Sequence, residues 1–282
     1  MTALGYSTPG KLMRLVLEAA AAGPGGRARW ARCADLGCGT GLAGVEARPH
    51  VAFLAGCDLS GGMVAEARAR LRPGGIVGGG SGGGGGSGAS ADVAAPSSWP
   101  LYDRLDVAEI EAWLRGPAAR GGFDLVLAAD VLVYIGALDG VFRAVAAAMG
   151  ARDDAAGDAA GEAAGEVATA PAPFAAPRLF AFSTEAFPGE GEGEGESEGE
   201  GEGEDEGEGG RASGGRVGAG TGAGAAPGFA LTGTGRCVHS RRYVRRVARA
   251  HGFSERRALR AAIRQNAGAD VVGDLFVFEL AR

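Results

Sequence analysis

Residues 32–42 read Arg-Cys-Ala-Asp-Leu-Gly-Cys-Gly-Thr-Gly-Leu. A short apolar run reaches Asp35, glycines follow at Gly37, Gly39 and Gly41, and a helix-compatible segment comes next. That order predicts a strand, a tight turn and a helix start. Glycine tolerates positive φ and lets a ligand approach bare main chain where a Cβ would collide. The turn is therefore expected to be a small-molecule cradle at the carboxyl end of a first strand, where open α/β sheets bind ligands.

Two ligand classes compete for this cradle. Gly39, Gly41 and Gly44 spell G-x-G-x-x-G, a dinucleotide fingerprint that is weak when it stands alone. Its mechanics need the strand to run straight into the first glycine, so that a pyrophosphate sits on the helix N-terminus. Here Asp35 and Gly37 come first. An acid at the mouth of the loop repels pyrophosphate and suits a ligand carrying ammonium and sulfonium charges. A second apolar run, Val51 to Cys57, ends in Asp58, 19 residues after Gly39. An acid at that distance is placed to accept both hydroxyls of an adenosine ribose. The alternative role for Asp58, capping the next helix, falls more naturally to Ser60.

Asp-x-Gly-x-Gly-x-Gly resembles the first motif of the class I S-adenosylmethionine-dependent methyltransferases. Tyr-x-x-Pro, the glycine loop, Asp-Leu-Ser-x-x-Met, Ala-Asp-Val-x-x-Tyr, Phe-Ser-x-Glu, His-Ser-x-x-Tyr and a terminal Gly-x-Leu-Phe-Val follow in order. This order is similar to one branch, the predicted methyltransferases associated with tetratricopeptide repeats (type 11/12-like), although the chain contains no such repeat. The resemblance implies a Rossmann-like α/β fold: a seven-stranded, mostly parallel sheet, helices on both faces and an antiparallel C-terminal strand pair. It implies S-adenosylmethionine as cofactor, with Asp35, Gly37, Gly39, Gly41, Asp58, Leu59, Met63, Glu109, Ile110 and Asp130 around it. Asp35 would hold the methionine end, Asp58 the ribose and Glu109-Ile110 the adenine. Glu109 also stands three residues after Asp106, the spacing of a capping box, and that reading stays open beside the adenine one. The motif Asn-Pro-Pro-Tyr is absent, which disfavours methylation of adenine N6 or a glutamine amide. A catalytic base is needed only for an acceptor that must lose a proton, and the candidates are His239, Tyr134 and Asp130.

Three segments cannot build a core: 74–98, 150–177 and 186–227, each low in complexity and expected to be disordered inserts. Their removal leaves 187 residues, enough for the single α/β domain expected over 1–282. The net charge of −6 hides a split, because the Gly-Glu run Glu190 to Glu208 holds 11 acids and no base. Without it the chain carries 23 acids against 28 bases. The run is read as a solvated linker.

Cys33, Cys38, Cys57 and Cys237 form no C-x-x-C pair and the three histidines do not cluster, so no metal site is expected. Reduced thiols, no secretory signal and no apolar stretch of 18 residues point to the cytoplasm or an organelle matrix, without membrane association.

The remaining periodicity predicts helices and strands in alternation. Thr8 is expected to cap a first helix, which by resemblance covers the first strand. Strands are expected over Leu101–Val107, Phe123–Ala129 and Arg178–Ser183, the last with Glu185 just past its end. Gly150 should stop the helix that buries Leu138, Val141, Phe142, Val145 and Met149. A helix after Ser240 faces Tyr243, Val244, Val247 and Ala248 inward and Arg241, Arg242, Arg245, Arg246 and Arg249 outward. Five arginines without an aromatic platform read as a solvated face, not a nucleic-acid surface. If they do capture substrate, the expected acceptor is a small anionic molecule; a monomer is the default assembly.

Overall fold

The computed structural model of the chain describes residues 7–20, 28–72, 99–158, 176–188, 228–266 and 268–281. The Gly-Ser run and the Gly-Glu run both lie outside them, so the expectations for these inserts rest on sequence alone. Six helices, α1 (Thr8–Ala20), α2 (Leu42–Ala47), α3 (Gly61–Ala69), α4 (Ile110–Arg115), α5 (Asp139–Asp158) and α6 (Arg241–Ala250), accompany nine strands. The strands are β1 (Trp30–Leu36), β2 (Val51–Asp58), β3 (Arg104–Val107), β4 (Leu125–Ala128), β5 (Leu179–Ala186), β6 (Phe229–Leu231), β7 (Cys237–His239), β8 (Phe253–Asn266) and β9 (Ala269–Leu280).

The parallel strands run β3-β2-β1-β4-β5, and the order reverses between β1 and β4. β9 then lies antiparallel on β5, and β8 antiparallel on β9. The doubly wound arrangement expected from the sequence is thus present, with one addition. The hairpin β6–β7 raises the strand number among the described residues to nine. Its placement follows from Glu185, which pairs with Gly273 of β9 on one edge and with Val238 of β7 on the other. β7 therefore shares the edge of β5 that β4 occupies lower down, and stands above the carboxyl end of β4.

Period-two alternation splits the core into two layers. Cys33, Leu54, Leu125, Leu127, Leu179, Ala181, Leu275 and Val277 face the side of α1, α2 and α3. Ala34, Leu36, Val126, Ala128, Phe180, Phe182, Phe276 and Phe278 face α4, α5 and α6. The phenylalanines are gathered on the second face, where Phe142 of α5 meets Phe180, Phe182, Phe253 and Phe278 edge-on at 5.2–6.2 Å.

Several expectations need correction. Thr8 does not cap α1 through its hydroxyl, which instead donates to the Ile263 carbonyl, while Lys11 Nζ reaches the Ala262 carbonyl at 2.7 Å. A register shift between Ala262 and Arg264 interrupts the β8–β9 ladder there. It opens these carbonyls to outside donors, and α1 packs on α2, β5, β8 and β9 while sharing one core layer with Trp30 and Cys33 of β1. Gly150 does not stop α5, which runs through it to Asp158, so the second insert begins helical. Nothing lies within 4 Å of a Cβ built there, and one glycine costs a helix only about 1 kcal/mol. Glu185 lies inside β5 because β7 extends its pairing.

The arginines of α6 are not simply solvated. Arg241 Nη2 lies 2.6 Å from Asp274, a carboxylate of β9 with no solvent exposure that also takes Arg260 Nη2 at 2.8 Å. Arg245 forks onto Glu255 at 2.8 and 3.1 Å. Asp274 thereby pins α6 to the strand pair. Asp274→Asn is expected to cost about 3–5 kcal/mol, because two guanidinium groups lose their shared buried counter-charge; urea unfolding measures it.

Candidate functional site

The point where strand order reverses is where an open α/β sheet has a ligand crevice, because the loops after β1 and β4 diverge to opposite faces. The glycine loop leaves β1 there. Gly37, Gly39 and Gly41 have φ of 60°, 52° and 88°, the left-handed region glycine adopts without strain. A Cβ on Gly37 would run into the Val131 side chain after β4, so the two loops touch only because residue 37 has none. A Cβ on Gly39 would meet nothing within 4 Å, leaving its main chain open on one side.

Two bonds fix the loop against β2. Cys38 N donates to the Cys57 carbonyl at 2.9 Å, and Gly39 N donates to Asp58 Oδ2 at 2.9 Å. Asp58 Oδ1 accepts Ser60 N at 2.8 Å, while the Ser60 hydroxyl caps α3 at Met63 N. Asp58 is only partly buried, and each oxygen retains acceptor capacity. Around it Leu59, Met63 and Val107 are 73%, 44% and 57% exposed. Exposed apolar side chains grouped at the strand ends form a surface suited to a flat apolar ligand.

Asp35 takes a different place from the one its spacing suggests. It is 1% exposed and turned inward, accepting the Tyr102 hydroxyl on Oδ2 at 2.6 Å. Its Oδ1 is buried and has no hydrogen-bond partner among the described residues. Burial raises its carboxyl to about 7; the Tyr102 hydroxyl opposes this, the Asp58 charge adds to it, and the Gly44 backbone opposes it more weakly. Gly44, third glycine of the apparent dinucleotide pattern, serves this contact, since a Cβ there would overlap the Tyr102 ring and hydroxyl.

Beside β3, Glu109 caps its own helix. Oε1 and Oε2 accept the Glu111 and Ala112 amides at 2.9 and 2.8 Å. The capping box is not formed, because Asp106 lies in β3 and accepts Trp113 Nε1 at 2.7 Å and Arg104 Nε at 2.6 Å. Ile110 is buried in the core beneath α4.

Across the crevice a charged cluster occupies the ends of β4 and β5. Asp130 has φ 56°, and its N–H donates to Ser183 Oγ at 2.9 Å. Its carboxyl is raised by burial against the lowering pull of Arg236. Arg236, at the exit of the β6–β7 turn, reaches back over the strand ends. Its Nη1 lies 3.1 Å from Asp130 and 3.4 Å from Glu185, and its Nη2 donates to the Tyr134 hydroxyl at 2.8 Å. Arg264 Nη2 completes the cluster on Glu185 at 2.6 Å. No spacing rule leads to Arg236, beside the glycine of a short turn, or to Tyr102, inside the segment expected as a strand. Only the fold joins them to acids 106 and 67 residues away.

His239 is fully buried. Its Nε2 lies 2.9 and 3.0 Å from the Ile135 and Gly136 carbonyls, so this nitrogen carries the proton, and Nδ1 has no partner among the described residues. Burial lowers its pKa, and the ring ties β7 to the turn after β4 without facing the crevice. The four cysteines are buried and free, and among the described residues no three metal-binding side chains converge. Nor is any helix among them long and apolar enough to cross a membrane.

Two outcomes are expected. Arg236→Ala should destabilise the fold by about 2–4 kcal/mol in urea, since Asp130 loses the guanidinium bonded to it and Glu185 is left with Arg264. The Asp35 carboxyl, raised from 3.8 to about 7 in the fold, holds its proton more tightly folded than unfolded. Its stabilising contribution is complete below the unfolded value of 3.8 and is lost as pH rises toward and through about 7. Asp35→Asn should therefore flatten the fall in melting temperature between pH 5 and 8, compared with the unchanged chain.

No protein-family model matches the sequence, and no curated protein does. Solved structures of similar shape exist. Magnesium protoporphyrin IX methyltransferase from Synechocystis, with bound S-adenosylmethionine, is 12% identical over 98% of this chain and 79% of its own, with a TM-score of 0.48. The N-methyltransferase NodS from Bradyrhizobium japonicum is 12% identical over 97% and 94%, at 0.47. An S-adenosylmethionine-dependent methyltransferase from Mesorhizobium loti is 18% identical over 95% of both chains, at 0.46.

Proposed function

We propose that the chain is an S-adenosylmethionine-dependent methyltransferase acting on a small-molecule acceptor. The observation that carries this reading is the pairing of Asp58 with Gly39: a carboxylate with spare acceptor capacity locked beside open main chain at the reversal of the sheet. A nucleoside fits that combination. Asp58 would accept the ribose hydroxyls, Leu59, Met63 and Val107 would cover the adenine, and the backbone of Gly37 to Gly41 would border the amino-acid end. Glu109 and Ile110 are committed to their helix and its core, so the adenine is assigned to the apolar side chains in their place.

A dinucleotide fits less well. Asp35 and Asp58 put two carboxyl groups around the loop where a pyrophosphate would need donors, and α2 is only six residues long.

The bound cofactor supplies an activated methyl group on a sulfonium, so the protein's task is to hold the acceptor near attack distance and keep water out. Positioning of this kind is worth about 7–11 kcal/mol. The hairpin β6–β7, standing above β4, gives the acceptor side a roof, and Arg236, Tyr134, Asp130 and Glu185 give it polar walls. No residue is assigned as base: His239 is enclosed, and Asp130 is engaged by Arg236. Of the arginines of α6, Arg241 and Arg245 are held by Asp274 and Glu255, so any capture of an anionic acceptor falls to Arg242, Arg246 and Arg249.

Isothermal titration tests the reading. S-adenosylhomocysteine should bind and NAD should not, and Asp58→Ala should weaken S-adenosylhomocysteine at least tenfold. Hydrogen bonds to a charged group are worth about 1.5–3 kcal/mol each, and the substitution also releases Gly39. Unchanged affinity in the variant would remove the ribose assignment.

A further inference from the structure

The contact between Tyr102 and Asp35 is built with unusual economy of space. Tyr102 comes from the segment between α3 and β3 and is 6% exposed. It lies in a seam lined by Gly41, Gly44 and Gly56, where added Cβ atoms would press on its ring or hydroxyl. Three backbone positions are thus kept bare around one phenol. The phenol donates to Asp35 Oδ2, and the Gly44 backbone adds a second, weaker pull toward the ionised carboxylate.

We propose that Tyr102 is a positioning residue for the cofactor loop. Its hydroxyl fixes Asp35 beneath Gly37 to Gly41 and favours the ionised carboxylate, which provides a negative charge for the cationic amino-acid end of the ligand. The inference rests on the cofactor reading above, and deepens it by assigning a residue that acts through Asp35 without touching the ligand.

The electrostatic setting supports this. Besides Tyr102, the titratable groups around Asp35 are Asp58, Cys33, Cys38 and Cys57, with Arg48 and Arg70 farther out on the same face. Burial pushes all three thiols up, Cys57 to about 12, so they stay neutral. Burial and the Asp35 charge push the Tyr102 phenol up as well, which keeps it a donor. Arg70 is turned to the Thr40 carbonyl and hydroxyl, and Arg48 to Asp103 and the carbonyls of Val51 and Ala52. Among the described residues the charge under the loop therefore has no dedicated cation. A ligand ammonium would favour the ionised form, and the carboxyl would give its proton to solvent as the ligand binds.

The test uses S-adenosylhomocysteine, which carries the ammonium, and adenosine, which does not. Titration at pH 6.5 in buffers of different ionisation enthalpy counts protons released. The unchanged chain should release a fraction of a proton with S-adenosylhomocysteine and none with adenosine; Asp35→Asn should abolish the release. Tyr102→Phe should weaken S-adenosylhomocysteine about tenfold or more, raise the proton count toward one, and alter adenosine affinity less than twofold. Equal weakening of both ligands with an unchanged proton count would make Tyr102 a packing residue only and overturn the proposal. So would an absence of proton release in the unchanged chain, which is measured without any variant. Failure of the unchanged chain to bind S-adenosylhomocysteine at all would instead defeat the cofactor reading beneath it.

Discussion

The hydrogen bond from Gly39 N to Asp58 Oδ2 sets the terms for the rest of the crevice. A loop with three left-handed glycines has high conformational entropy when unfolded, and nothing in glycine itself selects one path. Pairing to β2 selects it here: the Cys57 carbonyl takes Cys38, the Asp58 carboxylate takes Gly39, and the loop becomes an extension of the sheet edge. Gly37 can then lie against Val131, and the β1 and β4 ends close on each other. An acid at position 58 has two tasks in this arrangement. It shapes the loop from below and still offers lone pairs outward.

The parts of this site that come from local rules were readable in the chain. Positive φ at residues 37, 39 and 41 follows from glycine, the Ser60 cap from its hydroxyl, and the alternation of strands and helices from the spacing of apolar runs. Other parts depend on contacts formed only in three dimensions. Asp35 reads as a loop-mouth acid until Tyr102, beyond the first insert, is seen to draw it inward. Asp106 and Glu109 have the spacing of a capping box, but β3 pairing holds Asp106 in extended backbone, and Glu109 caps the helix alone. The arginines of α6 read as a solvated face because Asp274 and Glu255 lie on later strands. Arg236 is invisible to any pattern, since its role depends on where a short hairpin lands.

That hairpin gives the acceptor side an unusual character. Asp130, Glu185, Arg236 and Arg264 form a balanced set of two negative and two positive charges, arranged as a chain of ion pairs with Tyr134 at its outer end. Balanced networks of this kind hold backbone in place at little cost in net charge. Here the held backbone includes Asp130, whose left-handed conformation costs a non-glycine residue of order 1–3 kcal/mol. The ion pairs and the Ser183 bond keep it there, at the tip of the central strand.

The position of β9 carries a consequence for how the chain is made. β5 is complete by Ala186, but its antiparallel partner begins only at Ala269, with three strands and a helix in between. During synthesis from the amino end, β5 emerges with Phe180 and Phe182 and with one edge unpaired. It stays so until the last strand leaves the ribosome, the kind of exposed edge that recruits wrong partners. The nascent chain is therefore in greatest need of chaperone protection while residues 187–268 are being added, and slowing translation over that window would lower the yield of folded protein more than slowing it anywhere upstream.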